Sequence, residues 1–271
     1  MKIAASDYDG TLFRNGTISN ETVEGVRLWR AAGNKFGMVS GRDYGMLKPQ
    51  LKHYGVEYDF AICNNGGIIR DASDNVICRK NIDARILEAM SREPLVRRSF
   101  HFAFSSEDVT YLCHEREGSW ITREAKQWEF PTVKIEESEI ATLERIQQFS
   151  LGFETPEQAN ACADVLNKNF STNVRAYPNR CSVDITPAGV SKRQGLEELM
   201  KAMHWEDCKL CVIGDETNDL PMIKAFNGYT VETARAEIKS EAAGVFSDVG
   251  SMLKHFLSFR AVRPRPLGLG I

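Results

Sequence analysis

The sequence predicts an α/β protein built on a doubly wound parallel sheet, with an α+β segment inserted into it. Three observations carry this. Short apolar runs alternate with helix-period segments at both ends of the chain, polar residues recur directly after those apolar runs, and the rhythm breaks between residues 82 and 186.

Residues 2–6 are a first buried strand. Ser19 then offers an N-cap, and Val23, Val26, Trp29 and Ala32 form an apolar stripe that Gly33 ends. Residues 35–40 are a second strand, followed by a helix to Tyr54; Pro49 either kinks that helix or marks its start, and Ser40 is a possible N-cap. Residues 60–63 make a third strand, and 68–70 with 76–78 a hairpin.

From Ile82 the order changes. A helix through Ile86, Leu87 and Met90 precedes strands at 100–104 and 109–113, a helix at 121–128 and a weak strand at 132–135. A helix at 140–149, a strand at 151–153, a helix at 158–170 and strands at 174–177 and 181–185 complete the insertion. It begins and ends with helix-strand-strand units. Trp120 and Trp128 are expected in its core, and Asn179 and Arg180 in a solvated turn. The α/β rhythm returns with a helix at 191–203 and a strand at 210–213, then a short helix, strands near 229–231 and 245–246, and a helix at 249–256. The tail 260–271 has no periodicity and is expected to be poorly ordered or an extension. The expected domains are therefore a discontinuous core, 1–81 with 187–271, and an insert, 82–186.

Composition narrows the function. The 271 residues carry a net charge of −3, which gives no electrostatic footprint for nucleic acid or membrane. No apolar run reaches the roughly 18–20 residues of a membrane span, and the immediate first strand leaves no room for a signal peptide. Seven cysteines without paired spacing are expected as reduced thiols of a cytoplasmic protein; Cys208 and Cys211 are formally C-x-x-C but run into a buried strand. The five histidines form no ligand pattern.

In an open parallel sheet, ligands bind at the carboxyl ends of the strands. Asp7, Ser40 and Asp215 each follow such an end. Asp7, Asp9, Asp215 and Asp219 would crowd four carboxylates into one crevice, and a hard divalent cation such as Mg2+ resolves their repulsion. Lys192 adds positive charge beside a phosphate, and Ser40 with the Gly41 amide supplies neutral donors.

These residues resemble the four motifs of the haloacid dehalogenase superfamily: Asp7-Tyr-Asp-Gly-Thr11, Ser40 in Val39-Ser-Gly-Arg42, Lys192 in Val190-Ser-Lys192, and Gly214-Asp-Glu-Thr-Asn-Asp219. The insertion is similar to the type IIB cap of the Cof-like sugar-phosphatase branch. The resemblance implies a Rossmann-like core and a Mg2+-dependent phosphatase acting on a small phosphorylated metabolite, a sugar phosphate foremost. It implies Asp7 as nucleophile forming an aspartyl-phosphate, and Asp9 as general acid and base. Mg2+ would be held by Asp7, the Asp9 carbonyl and Asp215, with Asn218 and Asp219 orienting the ligands and Lys192 from behind. Ser40, Gly41 and Lys192 would hold the phosphoryl group. Thr11 would fix the loop, and Arg42, Asn65 and Gly66 would face the substrate. The alternatives are a phosphomutase using the same residues and a non-catalytic phosphometabolite-binding protein.

Overall fold

A computed structural model of the protein describes residues 1–117 and 119–258. The expectation for the tail lies outside the described residues.

The first half of the core alternates β1 (Lys2–Ser6), α1 (Asn20–Ala31), β2 (Lys35–Val39), α2 (Tyr44–His53) and β3 (Phe60–Cys63), then turns back through β4 (Ile68–Asp71) and β5 (Val76–Arg79). The next stretch holds α3 (Ala84–Ser91), β6 (Phe102–Ser106), β7 (Val109–Cys113), α4 (Trp120–Trp128), β8 (Thr132–Lys134), β9 (Gln148–Gly152), α5 (Pro156–Asn169), β10 (Val174–Asn179) and β11 (Ser182–Pro187). The chain then returns with α6 (Lys192–Ala202), β12 (Lys209–Ile213), α7 (Leu220–Ala225), β13 (Thr230–Val231), α8 (Ala236–Lys239), β14 (Val245–Phe246) and α9 (Val249–Ser258).

The first sheet has the order β12-β1-β2-β3-β4-β5, with β12, β1, β2 and β3 parallel and the last two strands antiparallel. Side chains alternate across it. Ala4, Phe36, Met38 and Ala61 pack under Trp29, Leu47, Met252 and Leu253, so α1, α2 and α9 cover one face. Ile3, Ala5, Val39 and Ile62 pack under Leu196, Leu199 and Met222, so α6 and α7 cover the other. Helices on both faces are what the strand-helix rhythm predicts. All seven cysteines are free, and Cys63 and Cys211 are buried.

The second sheet has the order β10-β11-β9-β6-β7-β8. Phe102, Phe104, Phe149, Leu151, Val183 and Ile185 face α3 and α5 in one apolar cluster. Gln148, Ser150, Ser182 and Asp184 alternate with them on the other face, where Gln148 and Asp184 reach Gly41 and Asn65 of the core. Among the described residues, no helix is long and apolar enough to cross a membrane.

Three expectations about local structure are corrected. Residues 140–149 are not a helix. A 3₁₀ turn at Glu137–Thr142 gives way to extended chain, where the Ile82 N–H donates to the Ile146 carbonyl at 2.7 Å, and then to β9. Pairing of β9 with β6 and β11 buries Ile146, Phe149 and Leu151 together, which outweighs the weak helical spacing of Ile140 and Leu143. Ser40 is not the cap of α2: Asp43 is, its Oδ1 accepting from the Met46 N–H at 2.7 Å. Pro49 therefore lies inside α2 and does not mark its start. The strand expected at 100–104 begins two residues later and runs Phe102–Ser106.

Candidate active site

The sheet delivers Asp7, Ser40 and Asp215 together, because β1, β2 and β12 are parallel neighbours; Asp7 and Ser40 directly follow their strands and Asp215 comes one residue later, after Gly214. Lys192 reaches them from the first turn of α6. A cation at a helix N-terminus opposes the helix dipole, so its placement needs another cause. That cause is a pair of carboxylates: Lys192 Nζ lies 2.6 Å from Asp7 Oδ1 and 2.6 Å from Asp219 Oδ1. All three side chains are buried.

Asp219 is engaged on both oxygens. Its other oxygen accepts the backbone N–H groups of Asp215 and Glu216, each at 3.0 Å, and so fixes the loop after β12. Asp215 accepts from the Thr11 hydroxyl at 2.6 Å, so Thr11 holds a carboxylate of the site. Gly10 makes this approach possible. Its φ is +85°, and a Cβ there would stand 2.3 Å from Asp215 Oδ2.

Asp7, Asp215 and Asp219 each offer an oxygen within 4.8 Å of the others. Three buried carboxylates face one buried ammonium, which leaves two formal negative charges out of water. Burial pushes the Asp7 carboxyl well above the usual carboxylate range, with Asp219 and Asp215 adding to the shift and Lys192 opposing it. Burial likewise pushes Asp215 up to about 6. Burial would lower the Lys192 ammonium, but Asp219 and Asp7 outweigh it and hold its pKa above the ordinary lysine value. A divalent cation matches the surplus charge. Asp7 and Asp215 each keep an oxygen free of the bonds just described, whereas both Asp219 oxygens are already engaged.

Arg42 holds Asp9. Its guanidinium makes a two-pronged contact with the Asp9 carboxylate at 2.7 and 2.8 Å, and reaches Glu124 of α4 at 3.0 Å. Ser40 is buried next to this turn, its hydroxyl accepting from the Arg42 N–H at 3.1 Å.

Asp7, Asp9, Gly41, Arg42, Lys192, Asp215 and Asn218 line one cavity of about 830 Å³ between the two sheets. Its far side is Gln148, Ser150, Ser182 and Asp184, the polar faces of β9 and β11. Asn65 and Gly66 do not line it. Asn65 is a tie: it donates to Gln148 Oε1 at 2.9 Å and Asp184 Oδ2 at 3.2 Å, and accepts from Asn218 Nδ2 at 3.0 Å. Gly66 backs onto α6, where a Cβ would lie 2.4 Å from the Ser191 carbonyl oxygen.

Sequence reasoning missed Gln148, Ser150 and Asp184, although Ser182-Val-Asp-Ile185 alternates in the way that marks a two-faced strand. Arg180 and Asn179 also line the cavity, and Arg180 reaches Glu216 at 3.5 Å, so their turn is part of the mouth. Trp120 lines the cavity beside the α4 cluster. Trp128, like Trp120, packs partly buried against the cluster of Ala103, Leu112, Ile121 and Phe130 with Met46, and it also meets His53 of α2 edge-on at 5.5 Å.

A doubly wound parallel sheet whose strand ends converge on carboxylates and a buried lysine defines an α/β protein with a charged site at its carboxyl edge. The profile of the haloacid dehalogenase-like hydrolases matches residues 4–250, and the chain belongs to that family. It is 21% identical over 276 residues to the Escherichia coli 5-amino-6-(5-phospho-D-ribitylamino)uracil phosphatase YbjI, covering 96% of this chain and 98% of the relative. Its fold is that of an HAD/COF-like hydrolase from Plasmodium vivax, with a TM-score of 0.81, 18% identity and 96% of each chain covered. It also matches the HAD subclass IIB sugar phosphatase BT4131, with a TM-score of 0.75 and 21% identity, over 94% of this chain and 99% of that one.

Proposed function

We propose that the protein is a Mg2+-dependent phosphatase of small phosphorylated metabolites that works through an aspartyl-phosphate on Asp7. The observation that carries this is the Asp7–Lys192–Asp219 relay, a buried nucleophile candidate held by a buried cation at the edge of a cavity.

Asp7 attacks phosphorus and the ester bond to the leaving oxygen breaks. Asp9 delivers a proton to that oxygen, then takes one from the water that releases phosphate from Asp7. Lys192, Ser40 and the Gly41 amide hold the phosphoryl oxygens. Asp7, the Asp9 carbonyl and Asp215 would hold Mg2+, which supplies positive charge to the transferring phosphoryl group. Asp219 and Asn218 keep Lys192, the Asp215 loop and Asn65 in place. Residues 82–186 form the cap, which excludes water and chooses the leaving group, and 1–81 with 187–271 form the core. Sugar phosphates are the leading substrates. YbjI and BT4131, whose names record phosphatase activity, support this reading. Seven free cysteines support a cytoplasmic setting.

The test is hydrolysis of p-nitrophenyl phosphate. Mg2+ should support it, EDTA should abolish it and added Mg2+ restore it. Asp7→Asn should reduce it to background; retained turnover would remove Asp7 as nucleophile, and chelator-resistant turnover would remove the metal.

A further inference from the structure

We infer that Asp184 selects the leaving group, and that it favours phosphate esters bearing a hydroxyl close to the ester carbon. The inference rests on the phosphatase reading and adds to it a residue and a chemical class.

Asp184 stands out because it lines the cavity with no ion pair of its own, Lys192 acting on it only from beyond pairing distance. It projects from β11 on the face opposite Val183 and Ile185, into the cavity. Burial raises its carboxyl above the ordinary range. Among the described residues no lysine or arginine lies within ion-pairing distance of it; its partners are neutral. Ser150 Oγ donates to Oδ1 at 2.8 Å, Asn65 Nδ2 to Oδ2 at 3.2 Å, and Gln148 Nε2 to Oδ1 at a longer 3.4 Å. A carboxylate accepts about four hydrogen bonds. Acceptor capacity therefore remains in a group that lines the cavity.

Its position says which part of a substrate would use that capacity. A Cβ on Gly41 would stand 3.1 Å from Asp184 Oδ2, so the carboxylate lies over the Ser40–Gly41 turn that cradles the phosphoryl group in the proposed mechanism. Gln148 Nε2 fixes the two elements together by donating to the Gly41 carbonyl at 2.8 Å. A phosphate dianion entering here meets a second negative group close by. An O–H donor on the carbon chain just beyond the ester oxygen turns that encounter into a charge-assisted hydrogen bond, whereas a bare alkyl group leaves the carboxylate unsatisfied and the repulsion unrelieved. The Asp184–Ser150–Gln148 face thus suits a hydroxylated leaving group.

The discriminating measurement uses the full chain with Mg2+ and two substrates of one carbon skeleton, glycerol 3-phosphate and n-propyl phosphate. Sites built to hydrogen-bond a hydroxyl reject analogues lacking it by about 10⁴- to 10⁵-fold; with three protein donors already on Asp184, a preference of at least about 30-fold in kcat/KM is expected. Asp184→Asn should cut that ratio by at least about tenfold. The ratio cancels any general loss of activity, so a purely structural role of Asp184 in joining the sheets would lower both rates and leave it unchanged. If Asp184→Asn shows no cooperative melt, Ser150→Ala replaces it, and its ratio should rise about threefold because the Asp184 acceptor that Ser150 occupied is left for the substrate hydroxyl. Equal rates for the two esters, or a ratio unmoved by the substitution, overturn the inference. p-Nitrophenyl phosphate separates the two levels: its hydrolysis alongside equal rates for the esters overturns the role of Asp184 alone, and failure on all three overturns the phosphatase reading and this inference with it.

Discussion

Replacing Asp219 by Asn tests the architecture of the site more sharply than replacing any residue expected to touch substrate. Every bond to the Asp219 carboxylate comes from a donor: Lys192 on one oxygen, the Asp215 and Glu216 amides on the other. An asparagine has one acceptor oxygen, so either rotamer points its NH2 at a donor. The smaller loss is the Lys192 bond; hydrogen bonds to charged groups contribute about 1.5–3 kcal/mol each, and a buried donor left facing another donor raises the cost to about 4 kcal/mol. One term opposes this. Removing a charge relieves repulsion with Asp7 and Asp215, which at these separations offsets about 2 kcal/mol in a protein interior. The net loss without metal is then about 2 kcal/mol. A bound divalent cation already relieves that repulsion, so the offset vanishes and the loss grows to about 4 kcal/mol. Urea unfolding followed by tryptophan fluorescence, in EDTA and in saturating Mg2+, measures both. The Mg2+ concentration for half-maximal hydrolysis should rise about 10- to 100-fold, as when a residue orienting a metal ligand is lost. A variant that loses less stability in Mg2+ than in EDTA, or less than about 1 kcal/mol in both, would refute the reasoning.

Two further substitutions probe neighbouring points. Gly10 and Gly16 both have positive φ, +85° and +78°, but only Gly10 has a carboxylate in the way, since nothing lies within 4 Å of a Cβ at Gly16. Gly16→Ala should cost about 1 kcal/mol, the left-handed backbone penalty alone, and Gly10→Ala at least about 2 kcal/mol more with weakened Mg2+ activation; equal losses by urea unfolding would show that the Gly10–Asp215 approach does not matter. His101 is fully buried, its Nδ1 is 3.0 Å from Ser119 Oγ, and burial pushes its pKa down to about 4 from 6.5. The unfolded chain therefore binds the extra proton first. The contribution is complete above about pH 6.5 and is lost as pH falls towards 4, amounting to about 3 kcal/mol. Unfolding of wild type and His101→Asn at pH 7 and pH 4.5 should show the wild type losing more stability on acidification by about 2 kcal/mol, and parallel losses would contradict the assignment.

How much of this was legible in the sequence depends on the kind of signal each residue carries. The core was legible because each of its strands is an apolar run that ends in a polar residue, and parallel order then forces Asp7, Ser40 and Asp215 to one edge. Lys192 was legible through its motif, and the structure supplies a physical mark as well: a lysine in the first turn of a helix, buried, where the dipole disfavours it. The opposing wall was not legible, and the helix expected at 140–149 is the reason. Its apolar residues Ile140, Leu143 and Ile146 repeat at helical spacing, which hides the alternation that starts at Gln148. Once 148–152 is a strand, Gln148 and Ser150 must share the face opposite Phe149 and Leu151. Pairing β9 with β11 sets Ser150 opposite Asp184. Asp184 is then a half-buried carboxylate on a polar face that no cation pairs. The local propensity of ten residues thus concealed a carboxylate of the opposing wall that has no ion pair, and the sheet register, a long-range property, brought it back.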